Sequence, residues 1–251
     1  MPLIAIGDGH GIETAGKRTP PFANGSVMKE NEFNSAVVNY LEAELKRNGF
    51  KVLQTAPESS DTPLSTRAKR ANQAGADLYV SVHANAFGST WNDANGVESW
   101  IYSAKDAKTY DAAKKIQSEL IKATGLKDRG IKESGDSLGI LRDTNMPAVL
   151  VECGFMTNRS EAELLKNDFY RRKCAEAICK GICKYYGVNY TSGVNEVPEK
   201  RYNKVEELPY GRDVIERLIN EGVLYGDENG NLNLSDDMVR IFMVLDRKER
   251  L

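Results

Sequence analysis

Leu78-Tyr79-Val80-Ser81-Val82, running into His83-Ala84-Asn85, decides how this chain is read. Five largely apolar residues rich in aromatic and β-branched types form a run too short for an ordinary helix, which is the pattern of a buried strand. Two other stretches share the form: Leu3-Ile4-Ala5-Ile6 runs into Gly7-Asp8-Gly9-His10-Gly11, and Ala148-Val149-Leu150-Val151 runs into Glu152-Cys153-Gly154-Phe155. Lys51 to Ala56, Val97 to Tyr102 and Gly139 to Arg142 read as further strands. Helical patterns lie between them. Glu30 opens one, with Phe33, Val37, Leu41 and Leu45 as its buried stripe and Asn48-Gly49 as its stop. Others run from Thr62-Pro63 to about Gly75, from Ala104 to Thr124, and over residues 160–186 as one broken helix or two. This alternation predicts an α/β fold, a twisted and mostly parallel (mixed) sheet flanked by helices.

In such sheets ligands gather at the carboxyl edge of the strands. His10, His83 and Glu152 all sit at that edge, and the chain has only two histidines. Glu30, one turn before Phe33, aims a carboxylate inward from a helix start. Zinc takes His nitrogen and carboxylate oxygen, and catalytic zinc sites use three protein ligands. His10, Glu30 and His83 would make such a set and leave Glu152 unbound. The separations, 20 residues from His10 to Glu30 and 53 more to His83, form no local motif. Plainer roles therefore stay open: a loop residue for His10, a hydrogen-bonding strand end for His83, a helix-dipole partner for Glu30. Glu152 resists a plain role most, since a buried carboxylate after four apolar residues is costly unless it does something.

With 251 residues, 41% of them hydrophobic, the chain can bury one large core and a small one. A net charge of −2 is far from the basic footprint of a nucleic-acid binder, so no nucleic-acid partner is expected. No apolar run approaches the roughly 20 residues of a membrane span, and the start lacks the pattern of a secretory signal. Cys153, Cys174, Cys179 and Cys183 form no CxxC pair and read as small buried hydrophobes. Gly187, Gly193, Pro198 and scattered polar residues mark a linker over 188–204, separating a domain at 1–187 from a small helical one at 205–251. Within the latter, Val214, Ile215, Leu218 and Ile219 give one short amphipathic helix, and Met238 to Leu245 a second.

Several ordered stretches carry a family resemblance: Gly9-His10-Gly11, Lys29 to Asn34, Leu64 to Arg67 with Ala71-Asn72, Ala76-Asp77 into Ser81 to Asn85, Leu141-Arg142 with Met146 to Ala148, and Val151 to Phe155 with Thr157-Asn158. On these the chain resembles the zinc-dependent N-acetylmuramoyl-L-alanine amidases of bacterial autolysins, spore-lysis enzymes and phage endolysins, over residues 1–186. The resemblance implies His10, Glu30 and His83 as ligands of one Zn2+ and Glu152 as the catalytic carboxylate. It also implies peptidoglycan as substrate, cut between N-acetylmuramic acid and L-alanine. Where the family often has Asp-Pro-Gly-His-Gly-Gly, this chain has Gly7-Asp8-Gly9-His10-Gly11-Ile12, which puts substrate-subsite detail in question more than the chemistry.

Residues 202–247 are more loosely similar to one S-layer-homology-type repeat, which implies cell-wall attachment; a packing or dimerising appendage is the alternative. Asp227 to Asn231 has some likeness to a calcium loop, but its sixth position is Leu232 rather than glycine. The expected life cycle is synthesis in the cytoplasm without a signal peptide and action at the bacterial wall after release. A zinc peptidase acting on the stem peptide is the competing activity, and the oligomeric state is open.

Overall fold

The computed structural model describes residues 1–58, 60–193, 201–227, 229–235, 238–239 and 242–243. They fall into two compact units, Met1–Gly193 and Val194–Leu251. In the first, the chain order is β1 (Leu3–Asp8), α1 (Glu30–Arg47), β2 (Lys51–Gln54), α2 (Leu64–Gln73), β3 (Leu78–Asn85), β4 (Val97–Ile101), α3 (Ala107–Thr124), β5 (Asp128–Glu133), α4 (Gly139–Arg142), β6 (Ala148–Phe155), α5 (Arg159–Lys166) and α6 (Asp168–Tyr186). The six strands form one sheet in the order β2-β1-β3-β6-β4-β5. All neighbours are parallel except β4 and β6. The expected mixed α/β sheet is therefore the fold.

Side chains alternate between the two faces of a strand, and the two cores follow that alternation. Ile4, Ile6, Val80, Val82, Val149 and Val151 bury against the stripe of α1 and against α3 and α6. Ala5, Tyr79 and Leu150 point the other way, onto Ala68 and Ala71 of α2 and onto Ile140 and Leu141 of α4. The first core is the larger and encloses all four cysteines, which are buried and free.

Three sequence expectations change in detail. Gly139–Arg142 is a short helix, not a strand: consecutive Ile140 and Leu141 are both buried in one core, which a strand's alternation forbids and a helical turn permits. β5 escapes the sequence pattern because its residues, Asp128-Arg129-Gly130-Ile131-Lys132-Glu133, carry no apolar run; it is an edge strand, half-exposed along most of its length. β3 and β6 also continue past their apolar runs, so His83 and Glu152 lie inside the ladder. The described start of the expected linker belongs to this unit, where the Tyr190 hydroxyl donates to Glu44 (2.8 Å) and Thr191 N–H to Asn48 (2.6 Å).

In the second unit β7 (Arg201–Tyr202) pairs antiparallel with β8 (Leu234–Ser235), and α7 (Arg212–Asn220) covers a small core of Tyr202, Leu208, Ile215, Leu234 and Val239. Of the helix expected over Met238 to Leu245, residues 238–239 and 242–243 are among those described, and they are helical. Asp227 spends its carboxylate on its own turn, accepting from the N–H groups of Asn229 (2.9 Å) and Asn231 (2.8 Å) and from the Asn231 side chain (3.1 Å). That turn chemistry accounts for the aspartate without calcium. No helix among the described residues is long and apolar enough to cross a membrane.

Candidate functional site

β1 ends at Asp8, and Gly9 then carries the chain directly over the His83 ring, where a β-carbon would overlap the imidazole. The next residue, His10, takes a left-handed backbone (φ 62°). Glu30 is the first residue of α1; the Glu32 side chain accepts from Lys29 N–H (2.8 Å) and fixes the helix start, while Glu30 is turned inward and only 2% exposed. β3 supplies His83. These three residues, far apart in sequence, meet: the candidate donor atoms of His10, Glu30 and His83 all lie within 4.8 Å of one another. Among the described residues they are the only group of three or more metal-competent side chains so placed.

Each imidazole faces one carboxylate oxygen of Glu30. His83 Nδ1 is 3.0 Å from Oε1 and His10 Nε2 is 3.5 Å from Oε2, with the two rings edge to face at 5.3 Å. His83 Nε2 lies 3.1 Å from the Ser81 hydroxyl. Burial, opposed by the Glu30 charge, lowers the His10 pKa to about 4, so its ring is neutral and able to ligate at ordinary pH. Burial disfavours the Glu30 carboxylate, but the His83 hydrogen bond and both imidazoles hold its pKa below the usual range. Two imidazole nitrogens and a carboxylate form a donor set that suits zinc.

Glu152 is paired in register with His83 on one side and with Glu98 on the other. Its Oε2 is shut off from solvent with no hydrogen-bond partner. Burial, with added repulsion from Glu30 and Glu98, raises its pKa well above the normal carboxylate value. Glu98, by contrast, is fully engaged: it accepts from Asn85 (2.9 Å) and Trp100 (3.0 Å) and pairs with Arg129 (2.6 Å). Two neighbouring carboxylates thus have opposite environments, and only Glu152 has an oxygen to spare for a proton.

Beside the imidazoles opens a cavity of about 400 Å³, bounded by His10, His83, Ser81, Arg67, Thr62 and Ile140. Sequence reasoning assigned no role to Arg67, Asn31, Asn34, Ser81 or Glu98. Asn34 donates to Gly9 O (2.8 Å) and to Glu30 Oε1 (3.3 Å), tying a carboxylate to the turn beneath it. Polar residues inside the buried stripe of α1, at Asn31 and Asn34, were the available signal.

A family model described as N-acetylmuramoyl-L-alanine amidase matches residues 4–184. The chain is 35% identical over 188 residues to the amidase LytC of Bacillus subtilis, a match covering 73% of this chain and 35% of LytC, so it spans about a third of that protein's length. It is 34% identical over 205 residues to the endolysin of Bacillus phage SPP1, covering 79% of this chain and 70% of the endolysin. Among solved structures, an N-acetylmuramoyl-L-alanine amidase from Clostridium difficile 630 superposes with a TM-score of 0.67 at 31% identity, over 74% of this chain and 96% of that one.

Proposed function

Since the chain belongs to the N-acetylmuramoyl-L-alanine amidase family, and is thus a cell-wall amide hydrolase, we propose that His10, Glu30 and His83 hold a single Zn2+ and that Glu152 is the catalytic acid–base. The observation that carries this reading is the convergence of the three donors within 4.8 Å, beside a carboxylate oxygen that nothing else occupies. When bound, Zn2+ supplies Lewis acidity to an attacking water and to the scissile carbonyl. The chain's own residues do the rest. His10 stays neutral, Glu30 offsets part of the ion's charge, and the neighbouring cavity gives room for the muramyl peptide.

Glu152 takes a proton from the attacking water as the water oxygen bonds to the carbonyl carbon of the lactyl group. It then delivers that proton to the nitrogen of L-alanine as the C–N bond breaks, leaving a carboxylate on the sugar and a free amine on the stem peptide. A raised pKa fits the second half of this cycle, in which the group must be an acid near neutrality.

The second unit serves as a wall anchor in this proposal, and the enzyme reaches peptidoglycan after release from the cell that makes it. Digestion of purified peptidoglycan tests the activity: intact stem peptides with new L-alanine amino ends are expected. Fragments cut within the stem would make the chain a peptidase instead. Metal analysis tests the ion: one zinc per chain is expected, with activity lost on chelation and restored by zinc. Full activity after verified zinc removal would reject the ligand assignment.

A further inference from the structure

His10 holds a backbone conformation that side chains with a β-carbon rarely adopt (φ 62°), and its imidazole contacts with Glu30 and His83 lie beyond the backbone itself. The pin comes from outside. Two buried donors converge on its carbonyl oxygen, Asn31 Nδ2 at 2.9 Å and Arg67 Nη2 at 3.2 Å. The same guanidinium donates through Nη1 to the Asp8 carbonyl and to Asp8 Oδ1 (3.3 Å), and through Nε to Thr62 O (2.8 Å). Asn31 Nδ2 also reaches Asp8 Oδ2 at 2.9 Å. The Arg67 side chain is only 4% exposed.

We propose that Arg67 and Asn31 are positioning residues that clamp the His10 carbonyl, holding the strained turn so that the imidazole faces Glu30 and His83. The inference rests on the reading of His10 as a metal ligand. A flat, forked cation suits this role because it can serve three carbonyls and a carboxylate at fixed angles, which a lysine's single ammonium cannot. Asp8 (3.3 Å) and the more exposed Asp61 (3.7 Å) both answer the guanidinium's charge, so it can stay buried. α1 supplies Asn31 next to Glu30, so one helix start sets a ligand and the partner of another ligand together. Support of this kind behind a ligand typically changes metal affinity by about 10–100-fold.

The test is zinc affinity of the full-length chain, measured by competition with a chromophoric chelator, alongside the melting temperature of the zinc-free protein. Arg67→Met should weaken zinc binding by about 10–100-fold, with Arg67→Lys and Asn31→Ala moving it in the same direction. At saturating zinc, the kcat of Asn31→Ala, which lies outside the cavity lining, should largely return and its KM should change little. Leu45→Ala, in the core at the far end of α1, controls for lost stability and should leave zinc affinity within twofold. His10→Ala separates the two claims. If His10→Ala binds zinc as tightly as the parent, the ligand reading fails. If His10→Ala loses zinc but Arg67→Met binds within twofold of the parent, the clamp alone fails. A raised KM with unchanged zinc affinity would also overturn it, making Arg67 a substrate contact. Should Arg67→Met not fold, Asn31→Ala decides: affinity within twofold of the parent rejects the clamp.

Discussion

Glu152 and His83 are register partners in adjacent parallel strands, and they project from the same face of the sheet. One ladder position therefore places a candidate ligand and the candidate proton carrier side by side with no loop to misplace them. Glu152→Gln keeps the shape and removes the proton transfer. Hydrolysis of peptidoglycan should fall by about 10²–10⁴-fold, the usual share of acid–base catalysis, while zinc content stays at the parent level. Turnover within tenfold of the parent would remove Glu152 from the mechanism.

The same substitution should stabilise the zinc-free protein, because the native state holds one oxygen of a half-buried carboxylate away from solvent without a partner. Burial raises the Glu152 pKa in the folded chain, whereas the unfolded value is about 4.3. The folded state therefore binds the proton more tightly than the unfolded one. Its advantage is complete below the unfolded pKa and is lost as pH rises through the folded pKa, by at most about 1.4 kcal/mol per pH unit. Glu152→Gln does not titrate. Melting curves in chelator should show the variant several degrees above the parent at pH 7 and the two converging near pH 4. A parent that melts higher at pH 7 would contradict a raised Glu152 pKa in the folded chain.

The sheet was legible because β1, β3 and β6 are central strands whose two buried faces demand unbroken apolar runs, and those runs also point to His10, His83 and Glu152. β5 was not, because an edge strand with half-exposed faces needs no such run. Gly139–Arg142 misled through its apolar pair, which four residues cannot assign to one periodicity. Within the site, ligand types could be read from residue chemistry and strand ends. The Arg67 and Asn31 contacts could not, since they join residues 21 to 57 positions from His10 through geometry that only the fold creates.

Gly9 is required by the site rather than by its backbone angles, since a β-carbon there would occupy the space of the His83 ring. In Gly9→Ala either the β1 exit or the imidazole must move. Zinc affinity should fall at least tenfold, with the far core intact by circular dichroism. Parent-like affinity would mean that the ring relocates without cost, and that its observed position is not the ligating one.

Glu161 staples the same sheet edge farther along: its buried carboxylate accepts from Gly96 N–H (2.8 Å) and Phe155 N–H (2.7 Å), joining the start of β4 to the end of β6. Glu161→Ala strands two buried donors at about 1–3 kcal/mol each. The expected loss in melting temperature is about 4–24 °C at roughly 2–4 °C per kcal/mol, with zinc affinity affected far less than by Gly9→Ala. A neutral Glu161→Ala would show that water or a backbone shift replaces the carboxylate.

The second unit has its own small core and exposes Val223 and Tyr225, at 65% and 76%, on the loop after α7. In the proposed anchor role, these two exposed side chains would be its contact points. Removing residues 194–251 should leave hydrolysis of soluble muramyl peptides within about twofold, because every proposed site residue lies in Met1–Gly193. Sedimentation with intact cell walls should drop sharply, and Val223→Ser with Tyr225→Ser in the full chain should reproduce much of that drop. Equal sedimentation of the shortened and full chains would dismiss the anchor. A change in molecular mass from dimer to monomer on truncation, with wall binding unaltered, would identify the unit as a pairing element.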